Sequence, residues 1–95
     1  MRIKNIRGTS EKKCSCGTWL DHWQRFSYQK LPKNCSSIAC FERAEVGAHI
    51  KKANSDDHRI FIVPLCRGCN KITEEFSIRD DVRLVSASIS DTCKY

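Results

Sequence analysis

Two closely spaced cysteine pairs constrain this chain more than any other feature of its sequence. Cys35 and Cys40 form a C-x4-C pair; Cys66 and Cys69 form a C-x2-C pair, separated from the first by 25 residues. The chain holds seven cysteines in 95 residues, and only 40% of those residues are apolar and 8% aromatic. A domain this small sits near the lower limit at which an apolar core suffices, so a staple is expected. An odd number of thiols fits a disulfide framework badly, because one is left over. The N-terminal stretch MRIKNIRGTSEKK is basic and polar and leads into no apolar run of secretory length. No segment approaches the roughly 18 apolar residues of a membrane span. These features predict an intracellular, cytoplasmic chain with reduced thiols, in which clustered cysteines bind metal.

Both spacings suit tetrahedral zinc, whose structural sites are commonly built from two such pairs. Ligands a few residues apart must come from a tight turn or from the first turn of a helix. Cys66 and Cys69 lie where an apolar strand hands over to a predicted helix, whose N-terminal amides would favour the thiolates. Four thiolates close the coordination sphere, so an ion held by Cys35, Cys40, Cys66 and Cys69 supports the fold and does no chemistry. Cys14 and Cys16 are less easily placed, since C-x-C chelates badly by itself. They make a second zinc site with His22, or with His49, or else compete with Cys35 and Cys40 for the first. Cys93 reads as a free thiol.

Residues 1–13 read as a flexible basic arm and 14–95 as a single zinc-binding domain. TWLD is a capping box, with Thr18 as cap and Asp21 reaching back. Trp19, Trp23 and Phe26 then share one helical face, which predicts a helix from Trp19 to about Gln29 with a buried aromatic stripe. Residues 44–50 and the stretch RIFIVP read as two strands, the second ended by Pro64, joined by the turn-rich KKANSDDH. A short helix is expected from about Arg67, with Ile72 and Phe76 on one side, and a further strand within DDVRLVSASIS.

The net charge is +6, with five basic residues against one acidic over 1–13, nine against five over 14–73, and three against five over 74–95. A basic body suits a phosphate backbone, and it serves solubility equally well.

The order of features (a cysteine pair, a strand carrying AHI, a polar connection, then IVPLCRGCN) resembles the HNH, or His-Me finger, nuclease family over about residues 35–76. The resemblance implies an α+β, zinc-stapled treble clef of ββα-metal type, here with an added N-terminal helix. It implies His49 as the general base that deprotonates water, a task its ordinary pKa suits. It implies Asn70 as a metal ligand, and one magnesium ion to stabilise charge on the scissile phosphate if the site is catalytic. Lys51, Lys52, Arg59, Arg67 and Lys71 flank these positions and would contact the backbone of a nucleic acid. Two positions depart from the family. Ala48 stands where an acidic residue or histidine binds the metal, and Phe61 where an asparagine is usual. Asn70 alone holds a hard cation weakly, although Asp56, Asp57 or His58 could help. His49 also reads as a packed strand histidine or a zinc ligand. The function expected is nucleic-acid binding, to DNA or RNA, with weak or no catalysis. The alternatives are a metal-dependent endonuclease using His49 and a zinc protein-interaction module acting through Trp19, Trp23 and Phe26. No membrane partner is expected.

Overall fold

A computed structural model describes residues 1–6 and 17–88. The described chain is α+β: one helix lies on a five-stranded antiparallel sheet. The strands are β1 (Arg2–Asn5), β2 (Val46–Lys52), β3 (Phe61–Leu65), β4 (Phe76–Ser77) and β5 (Val85–Ser86), in the order β4-β1-β2-β3-β5. The helix, α1, spans Trp19–Ser27. Among the described residues no helix is long and apolar enough to cross a membrane.

The capping box forms as its residue types require. The Asp21 amide donates to Thr18 Oγ1 at 3.1 Å, and the Thr18 amide donates to Asp21 Oδ2 at 3.2 Å. The helix stops at Ser27, slightly before Gln29, because Tyr28 turns left-handed at φ 57°. The aromatic stripe is core. Trp23 is 1% exposed and packs with Ile62 and Val85, flanked by Trp19 and Phe26. Its indole Nε1 donates to the Arg83 carbonyl at 2.8 Å, which satisfies the one polar atom it buries.

Strand alternation divides the sheet into two faces. Ala48 and Ile50 on β2, and Phe61, Val63 and Leu65 on β3, pack with Ile3, Cys35, Cys66 and Ile78 on one side. Gly47 opposes Pro64 and His49 opposes Ile62 on the other side, beneath α1. Gly47 has no substitute here, since a Cβ would collide with the Trp19 and Leu20 backbone. That close approach seats the start of the helix on β2.

Three expectations are corrected. Arg2–Asn5 is not part of a flexible arm. It is β1, hydrogen-bonded between β2 and β4, with Ile3 wholly buried; residues 7–13 lie outside the described residues. Pro64 does not end its strand, which continues through Leu65. Its carbonyl accepts from the Ser36 amide at 3.0 Å, so its nitrogen shares that outward edge and no ladder bond is lost. The helix predicted after Arg67 is one 3-10 turn, Cys69–Lys71. Phe76 is drawn instead into β4, where it pairs with Ile3.

Candidate metal centre

The first cysteine pair sits on a turn between α1 and β2. The Cys35 amide donates to the Glu42 carbonyl at 2.8 Å, the Cys40 amide to the Ser37 carbonyl at 3.2 Å, and Ala39 takes φ 61° between them. The second pair is formed where β3 ends. The Cys69 amide donates to Cys66 Sγ at 3.3 Å, and the Asn70 amide to the Cys66 carbonyl at 3.1 Å. A Ser36-to-Pro64 backbone hydrogen bond ties the two turns together.

This arrangement brings Cys35, Cys40, Cys66 and Cys69 to one point. Their four Sγ atoms lie within 4.8 Å of one another, and Cys40 is 3.9 Å from both Cys66 and Cys69. A tetrahedral ion with thiolates at about 2.3 Å places its sulfurs roughly 3.8 Å apart. A disulfide would need about 2.05 Å. The cluster therefore fits a metal ion, and all four thiols are free. Burial raises the Cys35 thiol above its ordinary value, and burial and its neighbouring thiols raise Cys69. Burial also works against the Cys66 thiolate, but hydrogen bonds from the Cys69 amide and the adjacent sulfurs outweigh it and hold Cys66 low.

Two supporting residues carry no sequence signal of their role. Asn5, on β1, donates through Nδ2 to the carbonyls of Cys69 and Ile72, both at 2.9 Å. Arg79 donates to the Cys35 carbonyl at 2.8 Å. Each fixes the backbone of one cysteine turn. The run RIKNI has its two isoleucines three positions apart and shows no period-2 alternation, so nothing local marks Asn5 as a strand residue.

The residues assigned by resemblance are not brought together. His49 is 8% exposed on the α1 face, with its ring 4.6 Å from that of Trp19. Asn70 is exposed in the 3-10 turn that Asn5 holds to the opposite, cysteine face. Ala48 is buried with the cysteines, and Phe61 fills the same core. His22 is fully buried and donates through Nε2 to the Ser86 carbonyl at 2.8 Å. Burial, aided by Arg25 and opposed by that bond, lowers its pKa from the ordinary 6.5, so the ring is neutral near pH 7. Cys14, Cys16 and Cys93 lie outside the described residues, so the second site with His22 is not resolved among them.

The basic flank is divided. Arg67 pairs with Glu45 at 2.7 Å, and Lys52 and Arg59 converge on Asp57 at 3.2 and 2.7 Å. Asp56 and His58 are exposed on the same connection. Lys51 and Lys71 are exposed and have no carboxylate partner among the described residues. Comparison of the chain with protein-family models, with curated proteins and with solved structures returns no match.

Proposed function

We propose that the protein is a zinc-stapled, treble-clef-like module that binds nucleic acid through its phosphate backbone without cutting it. Zinc suits the four-thiolate set, and the ion's role is structural because four protein ligands leave no open position. The order of turn, β2–β3 hairpin and second turn supports the treble-clef reading, with the closing helix reduced to Cys69–Lys71. The observation that carries the functional reading is the distribution of charge. The chain is +6, and Lys4, Lys51 and Lys71 stand exposed without carboxylate partners among the described residues. By contrast, the one residue offered as a general base is packed under Trp19. A base must lie within hydrogen-bond reach of the proton it removes.

Fluorescence anisotropy with labelled single- and double-stranded DNA and RNA tests this reading. Binding is expected at low salt and should weaken steeply as salt rises, because each neutralised phosphate releases counterions. Lys51→Gln and Lys71→Gln should each lower the affinity and flatten the salt slope by about 1. Failure to bind either nucleic acid at low salt would remove the proposal and leave a protein-interaction module. Cleavage with magnesium or manganese, lost in His49→Ala with zinc content intact, would replace it with a nuclease. Mass spectrometry of the native protein counts and identifies the metal.

A further inference from the structure

The β1–β2 ladder sets two lysines against each other. Lys4 stands directly opposite Lys51 in the antiparallel register, and both are exposed. Opposed residues in such a pair hold their Cβ atoms about 5 Å apart, so like charges there cost the sheet stability. Neither ammonium has a hydrogen-bond or ion-pair partner among the described residues. Beside the ladder is a pocket of about 200 Å³ whose lining also includes Lys52, Asn54, Asp57 and Glu75.

Both carboxylates in that lining are already engaged. Asp57 accepts from Lys52 and, through two nitrogens, from Arg59. Glu75 accepts from Asn54 Nδ2 at 3.3 Å and faces Arg2 Nε at 3.7 Å. Among the described residues the pocket thus keeps two uncompensated cations on its wall. It is smaller than the roughly 300–1,000 Å³ of pockets that enclose a drug-sized ligand, so it suits one small group rather than a length of strand.

We propose that this pocket receives a phosphate monoester dianion, the terminal phosphate of a nucleic-acid strand. A monoester carries a charge near −2 at neutral pH, which matches the two ammonium groups left without a partner among the described residues; an internal diester carries only one. Lysine binds phosphate as a compact point charge. The choice of a strand rests on the function proposed above, whereas the charge matching does not.

The test combines an NMR titration of the full chain with inorganic phosphate and anisotropy on paired oligonucleotides, identical except for a terminal phosphate or hydroxyl at either end. Phosphate should move the amides of Lys4, Lys51 and Asn54, and one phosphorylated strand should bind roughly tenfold tighter than its hydroxyl twin, the effect of a charge-assisted contact. Lys4→Gln and Lys51→Gln should abolish that preference. Both variants relieve the repulsion, so their melting temperatures should hold or rise. Equal binding of all strands, with these amides unmoved by phosphate, would overturn the pocket and leave general backbone binding standing. A preference that survives both variants would overturn it as well. Phosphate binding with no binding of any strand would overturn the nucleic-acid reading and the strand as ligand, while the pocket would stand.

Discussion

Asp57 collects two cations at once, accepting from Arg59 Nε at 2.9 Å and Arg59 Nη2 at 2.7 Å, and from Lys52 Nζ at 3.2 Å. The Arg59 hydrogen bonds, aided by Lys52, hold its carboxyl well below the ordinary 3.8. A carboxyl that titrates lower in the folded chain than in the unfolded one adds stability above its ordinary value, and that addition is lost as the pH falls below it. Asp57→Asn should therefore lower stability at neutral pH, and the difference from wild type should shrink on going below about pH 4. Urea midpoints of the two proteins across the acid range check this, and taking their difference cancels the acid response of the thiolates. The same substitution frees two cations, so nucleic-acid affinity should rise. Gly47 makes a second prediction at this scale. Its missing Cβ is where α1 meets β2, so Gly47→Ala must push the helix outward, at about 1–3 kcal/mol. An unchanged melting temperature would show that the helix start is not seated there.

The two elements that most constrain the structure lie at opposite ends of legibility. Helix α1 is announced by its capping box and aromatic stripe, and it packs on β2, β3 and β5. Trp23→Ala should cost roughly 3–5 kcal/mol, much of the stability of a domain this size. A variant that melts like wild type but fails to bind a partner would make the aromatic face a recognition surface. Strand β1 is four residues long and sits within a run dominated by basic residues, yet it joins β2 to β4 and carries Asn5. Asn5→Ala should leave the sheet intact and loosen the Cys66–Cys69 turn. Metal should then pass to a competing chelator up to roughly tenfold more readily, as for other residues that support ligands from behind. Chelator titration reads this directly.

For the molecule as a whole, the four cysteines and the inner face of the sheet form one cluster, in which Cys35 and Cys66 touch the packing of Ile3, Ile50 and Val63. Because β2 and β3 are common to both faces, metal loss should not stay local. Binding energy of roughly 10 kcal/mol or more is coupled to folding in structural zinc domains. Chelation should collapse amide dispersion throughout the sheet and expose Trp23, seen as a red shift in its fluorescence. A chelated protein with native dispersion would contradict the structural role of the ion, as would Cys66→Ala with full metal content.

The cysteine cluster and α1 were legible because they depend on short-range spacing: a chelating turn and a capping box are each defined within a few residues. The hairpin strands were legible to within two or three residues for the same reason. What could not be read was which face each strand residue occupies and what sits on it. His49 and Asn70 are 21 positions apart in the sequence, and only the register of β2 against β3, with α1 above and the cysteine turns below, puts them on opposite sides. The helix expected after Arg67 lost to pairing of Phe76 with Ile3, a contact between residues 73 positions apart. Arg67 read as a phosphate ligand until tertiary folding put Glu45 beside it, whereas Arg59 meets Asp57 only two positions away in the chain. Local chemistry wrote the turns and the helix start; long-range pairing, whose energy depends on residues far apart in the chain, chose the faces, the partners and the charges left exposed.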